Sequence, residues 1–230
     1  MNKIIPLLLL VSVSVSVYSK TKLPEQFVVL NDYLPTANYD IRYATNNNFV
    51  GLPVTGYKAP LCIIERRAAK ALSVVNSQLL KDKMRLKIFD CYRPEKAVDH
   101  FMRWVDDKND QTTKQDYYPN LKKLDLKGGY IAERSGHSRG FTADLTIEVL
   151  NESGEYSEMD MGAPFDFFDS ISNTHSDLIT KTQLENRLVL KQIMLENGFN
   201  DYPMEWWHFT HKSDPQTDYW NFDVQPYPAK

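Results

Sequence analysis

One stretch of the chain constrains the fold more than any other: a turn rich in serine and glycine that runs directly into a strand of alternating residues. The turn covers residues 135–140, and from Phe141 to Ile147 the apolar residues then recur with period two. That period is typical of a strand with one face in the core, so Asp144 is expected on the opposite face, beside two threonines. The chain should therefore build a sheet around this strand.

The remaining periodicity predicts three helices. Helical spacing indicates one helix over Ile63–Leu80, a second with Pro94 in its first turn, and a third that ends at Gly198. We expect Thr182 and Glu185 to form a capping box at the start of the third. The buried stripes should hold these apolar residues in chain order: Ala68, Leu72, Val75 and Leu79; Ala97, Val98, Phe101, Met102 and Val105; Leu184, Leu188, Ile193 and Met194.

Two further short segments read as strands, Leu86–Asp90 and Met204–Thr210. Helices and strands follow one another without regular βαβ alternation, which favours an α+β fold with a largely antiparallel sheet. We predict a single domain, residues 20–230, with a central, mainly antiparallel sheet flanked by helices.

The first 19 residues have the pattern of a secretory signal peptide. Basic Lys3 is followed by an apolar run from Ile4 to Val17, and Val17-Tyr18-Ser19 offers small residues for cleavage. The alternative is a membrane anchor, but an anchor needs about 20 apolar residues, and this run is shorter and contains Pro6 and three serines. We therefore expect a periplasmic or secreted protein with no stable membrane anchor after cleavage.

The charge of the chain bears on nucleic-acid binding, and its two cysteines bear on disulfide formation. The formal net charge is −3 and the basic residues form no long run, so a nucleic-acid partner is not indicated. The two cysteines, Cys62 and Cys91, favour a disulfide if the protein is exported, since an even pair in an oxidising compartment is usually bridged. Two buried thiols are the alternative. A bridge would lie near Arg93 and could brace the wall of a site there.

Two motifs carry residues suited to a metal-dependent hydrolase. His137 and Asp144 lie in the turn and strand described above, and His208 ends the sequence Glu205-Trp206-Trp207-His208. Two imidazoles and a carboxylate are a common ligand set for catalytic zinc, which keeps its fourth position open. Glu205, three residues before His208, could then act as general base.

Each of these residues also has a structural interpretation. Asp144 could instead cap a turn or pair with Arg139, because a partly buried carboxylate needs a partner. Arg93 could form a structural salt bridge. The spacing of the three ligands is less specific than that of H-E-x-x-H. The other histidines, His100, His175 and His211, are interpreted as surface or hydrogen-bonded structural residues.

The motifs, taken in order, resemble a known family. The ordered set is Tyr43-Ala44-Thr45-Asn46-Asn47-Asn48-Phe49, Asp90-Cys91-Tyr92-Arg93-Pro94, Ser135 to Gly140 continuing through Asp144-Leu145-Thr146, Met161-Gly162 with Phe165-Asp166, and Glu205 to His208. Together they resemble the zinc D-alanyl-D-alanine dipeptidases of the VanX type, which have the Hedgehog/DD-peptidase fold. This resemblance implies a zinc ion in a cleft on the sheet. The resemblance covers about residues 38–222. One departure is Gly136, where a second serine is familiar.

The resemblance implies a role for each matching position. His137, Asp144 and His208 would bind one Zn²⁺ per chain, and Glu205 would be the general base. Arg93 would polarise the scissile carbonyl and stabilise its oxyanion. The residues that would contact the dipeptide are Tyr43, Ser135 and Asp166. Asp166 would face the free ammonium, which would restrict the enzyme to dipeptides.

Three functions are consistent with these observations. The first is an exported zinc dipeptidase that hydrolyses D-Ala-D-Ala and serves peptidoglycan turnover, and for an exported chain a role in antibiotic resistance is doubtful. The second is a zinc D,D- or L,D-carboxypeptidase that trims peptidoglycan stem peptides. The third is a non-catalytic zinc-binding module like the related Hedgehog signalling domain. Glu205 and Arg93 argue against the third, because a structural site needs neither a base nor an oxyanion partner.

Overall fold

The structure is a computed structural model that describes residues 22–228, so the predicted signal segment lies outside the described residues. The strands in these residues are β1 (Phe27–Val29), β2 (Asn38–Tyr39), β3 (Ile63–Glu65), β4 (Met84–Asp90), β5 (Thr142–Leu150), β6 (Tyr156–Glu158), β7 (Phe199–Tyr202) and β8 (Glu205–His211). The α-helices are α1 (Leu30–Tyr33), α2 (Arg66–Leu79), α3 (Glu95–Asp106), α4 (Lys114–Tyr117) and α5 (Lys181–Glu196). No helix in the described part is long and apolar enough to cross a membrane.

Most of the described strands belong to one mixed sheet. Its order is β2–β4–β5–β8–β7, and β6 pairs with β5 beside this path. Only the β2–β4 pairing is parallel; the other pairings in this sheet are antiparallel. β1 and β3 form a separate antiparallel pair. The predicted α+β class with a mainly antiparallel sheet is confirmed.

Strand β5 lies in the middle of this sheet and is buried on both faces. Asp144 pairs with Asp90 on β4 and with His208 on β8. Period-two alternation predicted a core face and a polar face. The polar face is also covered: Thr142, Asp144 and Thr146 are buried as deeply as the apolar residues. The polar face of β5 is therefore covered by other parts of the chain rather than being an open surface.

The first two helices are present as predicted, with differences at their starts and in one buried position. Ile63–Glu65 is strand β3, and α2 begins at Arg66 because the Glu65 side chain caps it by accepting from the Arg67 backbone N–H at 2.6 Å. The expected apolar stripe of α2 is buried. Pro94 is the residue before α3 rather than part of its first turn, and the buried stripe of α3 includes Trp104 where Met102 was expected.

The predicted start of the third helix was wrong. The capping box is formed by Thr180 and Gln183, not by Thr182 and Glu185, so α5 begins two residues earlier. Its buried face consists of Arg187, Leu190 and Met194. Leu188, expected in the core, is 37% exposed. The apolar pattern did not predict this buried face because one of its positions is occupied by an arginine.

The last part of the chain packs without regular structure across the outside of the fold. Val224 forms a parallel bridge with Tyr57. The backbone N–H of Trp220 donates to the carbonyl of Ser138 at 2.9 Å. The ring of Phe222 stacks on Tyr92, with centroids 4.1 Å apart. This C-terminal segment, residues 217–228, thus contacts elements from three distant parts of the sequence.

The two cysteines form a disulfide. Cys62, just before β3, is joined to Cys91, just after β4, with Cα atoms 5.3 Å apart. Both residues are buried. The predicted bridge is confirmed, and it ties the small β1–β3 pair to the end of a central strand.

Candidate active site

Three predicted metal ligands converge at the middle of the sheet. His137 Nε2 lies 3.3 Å from Asp144 Oδ2 and 3.3 Å from His208 Nδ1, and His208 Nδ1 lies 3.1 Å from Asp144 Oδ1. Among the described residues this is the one group of three or more acidic, histidine or cysteine side chains that could hold a metal ion. The trio predicted from the sequence is therefore assembled by the fold.

Local backbone structure explains how His137 reaches this point. Residues Gly136–Arg139 form a 3₁₀ turn whose preceding residue, Ser135, accepts the His137 backbone N–H on its side chain at 3.2 Å. Gly140 ends the turn with φ of +84°, a conformation that favours glycine. The chain then enters β5, and the register of β5 with β8 sets Asp144 opposite His208.

The ring of His137 is oriented for coordination through Nε2. Its Nδ1 lies 2.7 Å from the carbonyl oxygen of Cys91, which can only accept, so Nδ1 carries the proton and donates it. The lone pair of Nε2 then faces Asp144 and His208. Metal-binding histidines commonly donate their second ring nitrogen to a carbonyl or carboxylate in this way.

The three residues fit a zinc ion. Ligand atoms bound at about 2.0–2.1 Å at tetrahedral corners lie about 3.3 Å from one another. His137 Nε2 and His208 Nδ1 are 3.3 Å apart, and each lies 3.1–3.3 Å from one of the two Asp144 oxygens. Asp144 Oδ1 is buried, and its contact with His208 Nδ1 at 3.1 Å lacks hydrogen-bond geometry, so a cation between the two side chains would satisfy it better than the imidazole alone. Burial opposes ionisation of Asp144, but His137 and His208 outweigh it and lower the pKa of this carboxyl.

The alternative partner for Asp144 is engaged elsewhere. Arg139 Nε donates to Asp214 at 2.7 Å, and its Nη1 donates to the Tyr219 hydroxyl at 3.0 Å. The interpretation of Asp144 as a partner of Arg139 was therefore wrong. The remaining histidines are structural or exposed, as predicted: His100 Nδ1 accepts from the Thr55 backbone N–H at 3.1 Å, and His211 Nδ1 contacts the Ser213 hydroxyl.

Glu205 lies beside the ligands at the start of β8. Its Oε2 is 3.6 Å from His208 Nδ1, and the residue is 8% exposed. Regular alternation would place residues three apart on opposite faces of a strand. The β7–β8 register shifts between Asp201 and Tyr202, and this irregularity lets Glu205 and His208 face the same cavity. Burial, then the charges of Asp144 and Asp166, raise the pKa of Glu205 well above its ordinary value.

Arg93 is held at the site by Asp90. Arg93 Nε and Nη2 donate to Asp90 Oδ2 at 3.1 and 2.9 Å, and Nη1 reaches the Ser135 hydroxyl at 3.5 Å. Its guanidinium lies over the rings of Tyr43 and Phe101, near 5 Å from each centroid. The structural salt bridge considered for Arg93 exists, and it fixes the guanidinium 3.7 Å from Asp144 in the same cavity.

Asp166 forms a second buried acidic group. The Tyr43 hydroxyl donates to its carboxylate at 3.0 and 3.2 Å, and Asp166 is 4% exposed. Its φ of +62° places it in the left-handed region, which non-glycine residues adopt rarely. Burial first, and then repulsion from Asp144, raise the pKa of Asp166 well above its usual range. A carboxylate held in this way is suited to a cationic ligand group.

All eight site residues selected from the sequence line one cavity of about 240 Å³. They are Tyr43, Arg93, Ser135, His137, Asp144, Asp166, Glu205 and His208. Aromatic rings supply much of the remaining wall, among them Phe49, Phe101 and Phe168. The structure brings the predicted residues together, and their separate roles remain predictions.

Sequence reasoning missed the residues that support these side chains. Asp90, which is fully buried, accepts from the Tyr57 hydroxyl at 2.6 Å as well as from Arg93. Arg187 on α5 donates to three carbonyls of the segment around Asp166, those of Met161, Ile171 and Asn173, at 2.6–2.9 Å. A signal existed for Arg187, since it precedes Leu190 by three and Met194 by seven residues, the spacing of a buried face.

The chain is similar in sequence to known proteins of one family. A family model described as D-ala-D-ala dipeptidase, of the M15 peptidases, matches residues 24–225. A D-alanyl-D-alanine dipeptidase of Enterococcus faecalis is 39% identical over 200 residues, 86% of this chain and 98% of the relative. Proteins of the same name from Streptomyces coelicolor (36%) and Enterococcus faecium (34%) match over the same shares.

The fold and the site together define a metal-dependent hydrolase of the metallopeptidase class. More particularly, the chain belongs to the D-ala-D-ala dipeptidase family of M15 peptidases and is a zinc metallopeptidase. The non-catalytic zinc-binding module considered from the sequence is thereby set aside.

Proposed function

We propose that this protein is an exported dipeptidase that hydrolyses D-Ala-D-Ala to two molecules of D-alanine. The single observation that carries the substrate class is Asp166, a buried carboxylate in the same small cavity as the metal ligands. An ionised carboxylate at this depth needs a cationic partner, and the free ammonium of a dipeptide provides one. The names of the relatives, all D-alanyl-D-alanine dipeptidases, support the choice of dipeptide.

The proposed metal ligands are His137, Asp144 and His208. When bound there, zinc supplies a Lewis acid that polarises a carbonyl and lowers the pKa of water towards neutrality. The remaining chemistry belongs to side chains of the cavity.

Arg93 stabilises the charge that develops on the scissile carbonyl oxygen. Water attack turns this oxygen into an oxyanion, and a fixed guanidinium in a buried site offsets that charge without reorganising. Asp90 and the rings of Tyr43 and Phe101 restrain Arg93 before the substrate arrives. Its five donors also allow Arg93 to keep its bond to Asp90 while it contacts the substrate.

Glu205 transfers the proton. Its carboxylate accepts a proton from the attacking water as the new C–O bond forms, and then donates that proton to the amide nitrogen as the C–N bond breaks. A raised pKa suits both halves of this role, because a base near the working pH can accept and return a proton. The products are two amino acids, and Glu205 ends in its original ionised form.

Asp166 and Tyr43 recognise the amino end of the substrate. The Tyr43 hydroxyl orients the carboxylate through one hydrogen bond shared by its two oxygens, and the ammonium is expected to bind on the cavity side. Ser135, near Arg93, is placed to contact the substrate backbone. A buried carboxylate that binds a free ammonium has no such partner in a stem peptide whose amino end is acylated, which disfavours the carboxypeptidase alternative.

Export and a role in peptidoglycan turnover are part of the same proposal. The N-terminal sequence pattern supports export, and the buried disulfide is typical of proteins in oxidising compartments. Outside the cytoplasm, the available source of the dipeptide would be wall material. The enzyme would then recover D-alanine from it.

The test compares three substrates on the purified mature protein: D-Ala-D-Ala, L-Ala-L-Ala and N-acetyl-D-Ala-D-Ala. We expect turnover of the first alone, because acylation removes the ammonium that Asp166 binds. Asp166→Asn should lose most activity on D-Ala-D-Ala by raising KM. Equal cleavage of the acylated substrate would favour the carboxypeptidase, and failure to cleave D-Ala-D-Ala at all would refute the proposed substrate.

A further inference from the structure

One cysteine of the disulfide lies in the segment that forms hydrogen bonds with His137, a proposed metal ligand. Cys91 directly follows β4, and its carbonyl oxygen accepts the Nδ1–H of His137 at 2.7 Å. Two residues later, the Arg93 backbone N–H donates to the carbonyl of His137 at 3.3 Å. Residues 91–93 therefore hold both the ring and the backbone of His137.

The other half of the disulfide is anchored in a different part of the fold. The Cys62 carbonyl accepts the backbone N–H of Leu30 at 2.8 Å, and its own N–H donates to the Asn31 side chain at 3.3 Å. These contacts fix Cys62 to the start of α1. The bridge thus connects a rigid element outside the cavity to the residue that orients His137.

We propose that the Cys62–Cys91 disulfide is a positioning element of the metal site. By fixing the Cys91 carbonyl, it holds the ring of His137 in the tautomer and orientation that present Nε2 to the metal. The bridge therefore slows the loss of zinc in addition to stabilising the fold. This inference rests on the zinc site proposed above.

The effect should be specific to His137 and partial. Among the described residues, the Cys91 carbonyl contacts the ring of His137, whereas His208 is held from β8. One backbone hydrogen bond beside the bridge, from Tyr92 N–H to the Ile63 carbonyl at 2.8 Å, remains when the sulfurs are removed. Residue 91 then keeps its position on average but with greater freedom. Loss of such outer contacts typically weakens metal binding about 10–100-fold.

The test measures zinc release to a chromogenic chelator from wild type and from Cys62→Ala/Cys91→Ala, both loaded with zinc. Alanine at position 91 retains the carbonyl and changes only its restraint. We expect release to be at least about 10-fold faster in the double variant. The control is Val75→Ala, which removes buried methyl groups from α2, a helix that contributes no residue to the cavity. The control should lower the Tm without accelerating release.

A second measurement reports on coordination itself. In Co²⁺-substituted protein, the visible absorption spectrum depends on ligand geometry, so it should change in the double cysteine variant and stay constant in Val75→Ala. Where the double variant does not fold, Cys62→Val/Cys91→Ala refills part of the lost volume and is measured in the same way.

The outcomes separate this proposal from the metal site itself. Wild-type protein that fails to hold one zinc per chain refutes the ligand assignment. Wild-type protein that holds zinc while the bridge-free variant releases it at the same rate, with an unchanged cobalt spectrum, overturns the positioning role alone. Equal acceleration in Val75→Ala, or failure of both cysteine variants to fold, also overturns it, since the bridge would then act only on overall stability.

Discussion

At the scale of single residues, the cavity is defined by buried carboxylates that perform different tasks. Asp90 is paired with Arg93 and Tyr57. Asp144 faces two imidazoles, while Glu205 and Asp166 form no ion pair with a lysine or arginine within residues 22–228. Environments that push the pKa values of neighbouring carboxyl groups apart are typical of sites where those groups have distinct chemical roles. Because Glu205 and Asp166 lack such an ion pair, we make one prediction for each of them.

Replacing Glu205 by glutamine should separate catalysis from metal binding. Glutamine keeps the shape and much of the hydrogen bonding but cannot accept the proton, so kcat should fall at least about 10²-fold while zinc content stays at wild-type level. Steady-state kinetics and metal analysis test this. Glu152→Gln, at an exposed turn position, is the matched control and should be neutral. Near-normal kcat in Glu205→Gln with zinc bound would remove Glu205 from the mechanism.

Asp166→Asn should stabilise the metal-free protein at neutral pH while impairing activity. The folded pKa of Asp166 is raised, so its contribution to stability is full below about pH 4, the unfolded pKa, and is lost as pH rises towards the folded value. A tenfold difference in proton affinity between the folded and unfolded states corresponds to about 1.4 kcal/mol of stability. Asparagine also tolerates the left-handed backbone at this position.

Thermal unfolding of chelator-treated wild type and Asp166→Asn between pH 4 and 8 measures this effect. The Tm difference should grow with pH in favour of the variant, and exposed Asp177→Asn should show no such trend. A variant that is less stable than wild type at every pH would contradict this prediction. It would mean that the Asp166 carboxylate is already stabilised in the substrate-free protein and needs no ammonium.

At the scale of elements, the site depends on departures from regular structure. The 3₁₀ turn before β5 and the irregular β7–β8 pairing both redirect side chains into the cavity. The turn packs tightly: a Cβ built on Gly140 would lie 2.2 Å from the ring of Phe27 on β1. Close approach and a positive φ therefore combine at one residue between two metal ligands.

Gly140→Ala should be strongly destabilising and should weaken zinc binding. Overlap with Phe27 and the φ of +84° together are expected to cost about 2–4 kcal/mol. Gly154→Ala is a matched control, since Gly154 has the same φ but no atom within 4 Å of the added Cβ. Denaturant unfolding and metal analysis of both variants test the prediction, and equal losses in the two would mean that backbone strain alone is responsible.

Arg187→Met should loosen the segment that carries Asp166. Three carbonyls would lose a buried charged donor, for a loss of at least about 3 kcal/mol in the free energy of unfolding. KM for the dipeptide should rise more than kcat falls, because Asp166 binds the substrate without reacting. Lys181→Met, at an exposed position on the same helix, should change neither. An unchanged KM in Arg187→Met would disconnect α5 from substrate binding.

The sequence predicted which side chains share the cavity better than it predicted the elements around them. His137, Asp144 and His208 could be recognised because each lies in a short motif with a distinctive residue order. The side on which Glu205 lies could not be read from period-two alternation, since it follows from the irregular β7–β8 pairing. The buried face of α5 was mispredicted because Arg187, buried by its hydrogen bonds to carbonyls, interrupts the apolar pattern. Contacts between distant segments decided both cases.

At the scale of the whole molecule, export remains a prediction that can be checked directly. The apolar run ending near Ser19 implies removal of residues 1–19. N-terminal sequencing of protein from the native host should therefore begin at or near Lys20, and the protein should fractionate outside the cytoplasm. An intact Met1 on soluble cytoplasmic protein would contradict both the cleavage and the proposed location.

The C-terminal segment makes contacts with earlier parts of the chain that can form only late in synthesis. Trp220 holds the turn that carries His137, and Val224 closes against Tyr57, so both contacts join residues more than 80 positions apart. Contacts of such long range form slowly compared with local helices and hairpins. The turn that carries His137 therefore gains its contact with Trp220 only after nearly the whole chain has left the ribosome. If the chain is exported unfolded, as proposed, this late contact would delay completion of the site until translocation has ended.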